Sequence, residues 1–333
     1  VNTDGEVELI FNNFTLESDS AAIFVKKADK LTITLIGNNS LSGGDKSCPA
    51  VIYSAADIEI TGSGSLSLEG KKYGIYSDKD ITVDASITIS TGDDGLHGDV
   101  ITVRGGSLVV TSENDAIHAF DVTISTDGSI TLSAEDDAIH ADRILTIGGG
   151  MSAPVIRITE CSEGLEGSVV NILDGDIEIT ASDDAVNGAN SDGTYTGEMD
   201  YSINVLGGKT VINSSGDGLD SNGNINLIAG ELTINCRNNG GEGGIDYEGS
   251  YYISDEMILN NNGGITMDSG NGGRMGGKGF GGMQGGNGDF APKGDFSQNG
   301  GITDDNGFGR GGQMPGMNGK KGGRGRMQSE ETY

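Results

Sequence analysis

Apolar and polar residues alternate along most of this chain in short runs that come in pairs. Ile81/Val83 is followed by Ile87/Ile89, Ile101/Val103 by Leu108/Val110, and Val122/Ile124 by Ile130/Leu132. Ile156/Ile158, Ile172 with Ile177/Ile179, and Ile225/Leu227 with Leu232/Ile234 continue the series. A period of two predicts strands with one buried face. Gly105-Gly106, Asp127-Gly128, Gly148-Gly149-Gly150, Asp174-Gly175 and Gly207-Gly208 mark bends between first and second strands. A small residue followed by an aliphatic one then closes each unit. These anchors are Ala50-Val51, Gly74-Ile75, Gly95-Leu96, Ala116-Ile117, Ala138-Ile139, Gly164-Leu165, Ala185-Val186, Gly218-Leu219 and Gly244-Ile245. From Gly74 onward they are spaced by 21, 21, 22, 26, 21, 33 and 26 residues.

A strand-rich repeat of this length predicts a solenoid, each unit being one coil stacked on its neighbours. Three short strands per turn, aliphatic inside and Thr/Ser/Asp outside, describe an all-β, single-stranded parallel β-helix of about ten coils. No sustained 3.6-residue apolar stripe supports helices. A β-sandwich would not explain a three-strand grammar with an acidic corner.

The pattern ends near Asp268, giving a β-helix domain over 1–267 and a tail over 268–333 rich in Gly, Asn and Met. Such a tail cannot bury enough apolar surface to offset its ordering entropy, which predicts disorder. Residues 1–267 hold 12 of the 20 Lys/Arg and 43 of the 50 Asp/Glu, a net −31. So acidic a surface argues against nucleic acid and anionic membranes as partners and favours cations. No run of 18 apolar residues occurs, so no membrane span is expected. The chain starts at Val1 with no initiator Met and no signal-peptide pattern, which predicts a mature or trimmed chain. Cys48, Cys161 and Cys236 are odd in number and lack a CxxC, the pattern of small buried residues rather than a disulfide framework.

Acids stand immediately before most anchors: Asp93-Asp94, Asn114-Asp115, Asp136-Asp137, Glu163, Asp183-Asp184 and Asp217. His97, His118, His140, Glu166, Asn187 and Asp220 stand just after them. Coils stack about 4.8 Å apart, so Asp94, Asp115, Asp137, Glu163, Asp184 and Asp217 form one row of carboxylates. Two such charges about 5 Å apart repel by about 3 kcal/mol at an effective dielectric near 20. The row therefore keeps protons, binds cations, or splays into water. Asp, Asn and carbonyl oxygens suit Ca²⁺, which accepts six to eight of them at flexible geometry. The expected calcium ligands are Asp93, Asp94, Asp115, Asp136, Asp137, Glu163, Asp183, Asp184, Asn187, Asp217 and Asp220. His97, His118 and His140 would stack on consecutive coils, as transition-metal ligands or as plain neighbours.

Ala22-Ile23-Phe24-Val25-Lys26-Lys27-Ala28-Asp29-Lys30-Leu31 resembles the opening coil of the clostridial carbohydrate-binding domain-containing family of cellulose- and acidic-sugar-binding β-helix proteins. Asp57-Ile58-Glu59-Ile60-Thr61-Gly62-Ser63-Gly64, Asp93-Asp94-Gly95-Leu96-His97-Gly98, Glu163-Gly164-Leu165-Glu166-Gly167 and Gly216-Asp217-Gly218-Leu219-Asp220 resemble its later elements, in order over roughly 20–250. The resemblance implies a right-handed, polysaccharide-lyase-like β-helix that is bacterial, extracellular or cell-surface, calcium-bound, and a binder of plant cell-wall polysaccharide. Asn114, Ser162-Glu163 and Gly216 depart from the doubled acid.

The function expected is calcium-dependent, non-catalytic binding of acidic polysaccharide such as polygalacturonate, with cellulose also in view. Tyr53, Tyr76, His97, His118 and His140 are the candidate sugar contacts. Tyr53 and Tyr76 share a place in their coils, either as a short aromatic platform or as ordinary stacked side chains. Tyr73, Tyr195, Tyr201, Tyr247, Tyr251 and Tyr252 are the other tyrosines of the solenoid, which has no Trp. One alternative is a pectate lyase, which needs a base beside calcium; Lys79, Arg104, Arg143 and Lys209 are the bases near the corner. A paired-aspartate hydrolase is disfavoured because the pair repeats, and a catalytic site need not. The other alternative is a calcium-stiffened surface scaffold. No residue is assigned a catalytic role, and no oligomeric state follows.

Overall fold

The computed structural model describes residues 1–45, 47–189, 201–237 and 243–267. The expected tail at 268–333, and Tyr195, lie outside the described residues. Among those described there are 26 strands and no helix. The strand pairings within the solenoid are parallel, linking each coil to the next in a β-solenoid of about ten turns.

Each coil has the three predicted strands. Ile81, for example, pairs with Ile58 on one side and Ile101 on the other, and the same column continues through Val122, Leu145, Val170, Ile203 and Ile225. A second column runs Leu41, Leu68, Ile89, Val110, Leu132, Ile158, Ile179, Ile212 and Ile234. The anchors supply the third: Ile52, Ile75, Leu96, Ile117, Ile139, Leu165, Val186, Leu219 and Ile245. All three columns are buried. Burying each such side chain stabilises by about 1.5–3 kcal/mol, and stacking makes that gain recur once per coil.

The first anchor is shifted by one residue. Ala50 pairs with Tyr73 and Ile52 with Ile75, so Ile52 rather than Val51 continues the column. Six residues stand in that corner between Gly43 and Ala50, against two between their partners Gly70 and Tyr73.

The small residue of the anchor has a steric reason. A Cβ on Gly74 would lie 2.6 Å from the Gly95 carbonyl and 2.6 Å from the Ile89 methyl. At Gly74 the backbone passes too close to the next coil for even a methyl group, whereas Ala116, Ala138 and Ala185 hold one, buried, at the same place in their coils. At the opposite bend, Gly208 has φ +78°, a left-handed conformation that favours glycine.

Cys48 and Cys161 are buried free thiols and Cys236 is half-buried, with no disulfide among them. No helix among the described residues is long and apolar enough to cross a membrane.

Ile139 is wholly buried in mid-column. Ile139→Ala should destabilise the solenoid by about 2–5 kcal/mol, measured by chemical denaturation. A loss under about 1 kcal/mol would mean the coil relaxes around the cavity.

Candidate metal and carbohydrate-binding corner

The corner is built by backbone before side chains enter. The anchor amide of each coil donates to the carbonyl of the acid in the next: Gly74 to Asp94, Gly95 to Asp115, Ala116 to Asp137, Ala138 to Glu163, Gly164 to Asp184 and Ala185 to Asp217, at 2.9–3.2 Å. These bonds place the six predicted acids in one row. Asp94, Asp115, Asp137 and Asp217 are buried, and so is Glu166.

Burial would be costly for bare carboxylates. Here one oxygen of Asp94, Asp115, Asp184 and Asp217 accepts a peptide N–H from the next coil. Asp115 N–H donates to Asp94 Oδ1 (3.2 Å), Asp137 N–H to Asp115 Oδ1 (2.9 Å) and Asp217 N–H to Asp184 Oδ1 (2.5 Å). Gly243 N–H donates to Asp217 Oδ1. The other oxygen meets the histidine three residues later. Asp94 Oδ2 lies 2.7 Å from His97 Nδ1, Asp115 Oδ2 3.1 Å from His118 Nδ1, and Asp137 Oδ2 2.9 Å from His140 Nδ1. Asp142 Oδ1 lies 3.4 Å from His118 Nε2 and 3.6 Å from His140 Nε2. The repulsion expected within the row is thus met, over three coils, by peptide donors and imidazolium.

The proton balance follows. Burial works against the charge of His118, but its hydrogen bonds to Asp115 and Asp142 outweigh it and push the pKa up to about 10. For His140, burial is likewise outweighed by Asp137 and the charge of Glu166, to about 9. Burial pulls Asp94 upward, yet hydrogen bonds from His97 and Asn114 leave it below its ordinary value. Asp137 and Glu163 go the other way. Burial raises both, and neighbouring Glu166 adds to the shift. From Asp137 onward three acids face one histidine, and the raised values mean that Asp137 and Glu163 keep protons more readily than free acids do.

A second row flanks the first. Phe24, Tyr53, Tyr76, His97, His118, His140, Glu166, Asn187, Asp220 and Asp246 are consecutive register partners. Its aromatic part is one stack. Ring centroids lie 5.1 Å apart for Phe24–Tyr53, 6.0 Å for Tyr53–Tyr76 and 4.7 Å for Tyr76–His97, with planes within 18° of parallel. His97–His118 and His118–His140 follow at 4.9 and 4.6 Å. From Phe24 to His97 the rings cover one another's faces, while His97 and His118 meet edge-on at 62°.

Four groups of side chains bring ligand atoms within 4.8 Å of one another: Asp94/His97/His118, Asp115/His118/His140, Asp137/His140/Glu166 and Asp184/Asp217/Asp220. The first three mix oxygen with imidazoles, of which His118 and His140 hold their protons against their acids. The fourth offers only oxygen. Beside it, Asn187 pairs in register with Asp220 and stands three residues after Asp184. Its amide nitrogen donates to Glu163 Oε2 at 2.8 Å, while its buried Oδ1 has no hydrogen-bond partner. A cavity of about 340 Å³ opens over the middle of the corner, lined by Asn114, Asp115, His118, Asp136, Asp137, His140, Glu163 and Glu166.

The outer acids stand apart from these clusters. Asp93 pairs with Lys72 at 2.8 Å, and Asp183 is exposed. Of the four bases, Arg104 pairs with Glu59 and Asp84, Arg143 with Asp121, and Lys209 with Glu231. Lys79 has no ion pair among the described residues. Phe24 and Glu166 were missing from the predicted site. Ala22-Ile23-Phe24 repeats the order of Gly74-Ile75-Tyr76, and Glu166 follows its anchor as His140 does; position within the coil was the available signal.

The family model for carbohydrate-binding domain-containing proteins matches residues 1–190, more than half of the chain. This chain belongs to that family. The carbohydrate-binding domain assignment makes carbohydrate its class of partner. A solved structure described as the polysaccharide lyase-like protein from C. thermocellum, a gadolinium derivative, is 19% identical to it. That match covers 80% of this chain and 76% of the other, with a TM-score of 0.26. No curated protein matches the chain at a significant level.

The raised values of His118, His140, Asp137 and Glu163 all mean protons held by the folded state and released on unfolding. By linkage, stability from the two histidines is full below about pH 6.5, the unfolded value, and is lost as pH rises through about 9 and 10. The melting temperature of metal-free protein should therefore fall between pH 6.5 and 10. His118→Gln should flatten that slope, and an unchanged slope would remove His118 as its source.

Proposed function

We propose that this protein binds acidic plant cell-wall polysaccharide, of the polygalacturonate kind, without cleaving it and with the help of calcium, outside the bacterial cell or on its surface. The observation that carries the reading is the oxygen-only group at Asp184, Asp217 and Asp220, with the orphaned Asn187 Oδ1 beside it. A buried acceptor without a donor is costly, and a cation among these oxygens would satisfy it. The donor set fits Ca²⁺ in kind, all oxygen from carboxylates and an amide. Bound there, calcium would supply a positive centre able to bridge the corner to a uronate carboxylate.

The protein's own residues do the rest. Peptide N–H groups hold the carboxylates of Asp184 and Asp217 in place, so the site needs little reorganisation to receive a ligand. His118 and His140 neutralise the middle of the row and lower the repulsion an anionic sugar would meet. The ring stack favours acidic sugar over cellulose. A flat glucan needs an exposed aromatic face, and from Phe24 to His97 the rings cover one another's faces. The bases near the corner favour binding over lysis, because Arg104, Arg143 and Lys209 are already engaged with acids.

Calcium should raise the melting temperature and EGTA should reverse the rise, since a ligand bound only by the native state at about 100 times its Kd adds about 2.7 kcal/mol. Asp220→Asn should shrink the calcium-induced rise; an equal rise in the variant would move the ion elsewhere.

Retention on polygalacturonate, xylan and cellulose gels, with calcium and with EGTA, tests the ligand. We expect calcium-dependent retention on polygalacturonate with no ultraviolet absorbance from unsaturated uronate. Growing absorbance would make the protein a lyase. No retention on any gel would leave a calcium-stiffened scaffold.

A further inference from the structure

The acidic row does not run the length of the corner. Gly70 pairs with Thr91, so Lys71, Lys72 and Tyr73 stand where the next coil has Gly92, Asp93 and Asp94. On the preceding coil Ala50 pairs with Tyr73, which sets Pro49 beside Lys72. The sign of the corner thus changes within one coil, on a solenoid whose net charge is otherwise strongly negative.

A cavity of about 430 Å³ lies at this end, lined by Asp45, Pro49, Lys71 and Lys72. Its volume is within the range of small-ligand sites, about 300–1,000 Å³. Its lining carries two ammonium groups and one carboxylate. Lys72 Nζ is held 2.8 Å from Asp93 Oδ2 and 5.8 Å from the centre of the Tyr73 ring. Asp45 Oδ1 accepts the Ser47 and Cys48 peptide N–H groups, at 2.8 and 3.1 Å, and the Ser47 hydroxyl at 2.6 Å. Asp45 is thus committed to its own loop. The Lys71 ammonium has no ion pair among the described residues. What remains is one uncommitted cation, a second shared with Asp93, and the apolar ring of Pro49 as a wall.

We propose that this cavity is a subsite for the carboxylate of a uronic acid, held directly by Lys71 with Lys72 beside it, and independent of calcium. The inference rests on the reading that the ligand is an acidic polysaccharide. It gives the corner two ways to hold one polyanion: an ammonium end at Lys71, and an oxygen-rich end some coils further along. A neutral sugar of the same size gains nothing from Lys71, so the subsite selects by charge.

The test is calorimetric titration of the full chain, in EGTA, with galacturonic acid trimer and with neutral xylotriose. The trimer should bind and xylotriose should not. Because the contact is a charge-assisted one, Lys71→Gln should weaken the trimer about tenfold or more, and Lys71→Arg should keep most of the affinity. Lys71 is exposed, so an unchanged melt would show that Lys71→Gln still folds. No trimer binding in EGTA, equal binding by xylotriose, or an unaffected Lys71→Gln would each overturn the subsite. Calcium-dependent retention on polygalacturonate surviving beside such a result would leave the broader function standing. Trimer binding in EGTA without any calcium-dependent retention would instead remove calcium and leave the subsite.

Discussion

The corner depends on a hydrogen bond that recurs at three of its steps, from the peptide N–H of one acid to the carboxylate of the acid one coil before. Parallel stacking sets equivalent residues about 4.8 Å apart, so an acid at one place in the repeat stands beside its own kind. Left bare, such a row would repel itself apart or take up protons. The peptide donor at Asp115, Asp137 and Asp217 turns each carboxylate into a strut between coils. The charge then becomes part of what holds the solenoid in register.

With that spacing in place, the second row shows how one position can change its chemistry by degrees. Phe24, Tyr53 and Tyr76 contribute rings, His97, His118 and His140 rings with nitrogens, and Glu166, Asn187, Asp220 and Asp246 only oxygen or amide. As far as Asp220 each neighbour differs from the next by a modest step: ring on ring, imidazole against carboxylate, amide against carboxylate; Asp220 beside Asp246 then ends the row with two acids. The corner therefore has a direction. Its rings and lysines lie at the early coils, its neutralised acids in the middle, and its oxygen-only group late.

A long, polyvalent ligand suits such a surface better than a small one. Repeated weak contacts on a rigid frame add through effective concentration rather than through any single tight site. The same regularity argues against a catalytic centre, which needs one place to differ sharply from its neighbours. The sharpest local differences are the Lys71-Lys72 pair and the unpartnered oxygen of Asn187.

The sequence by itself determined the solenoid, its three inward columns and the membership of the acidic row. All of these are periodic, and parallel stacking converts a period directly into a column. Leu96, Ile117 and Ile139 were legible as one column for that reason, and so were Asp94, Asp115 and Asp137. It could not place Ile52 instead of Val51, because the longer corner between Gly43 and Ala50 hides which residue meets Ile75. Tertiary structure alone decided how the acids are kept: which carboxylate oxygen takes a peptide N–H, which takes an imidazole, and where a lone pair is left over at Asn187. It also decided that the rings from Phe24 to His97 cover one another's faces. Those outcomes depend on side-chain direction and on neighbours a whole coil away, and no pattern along the chain encodes either.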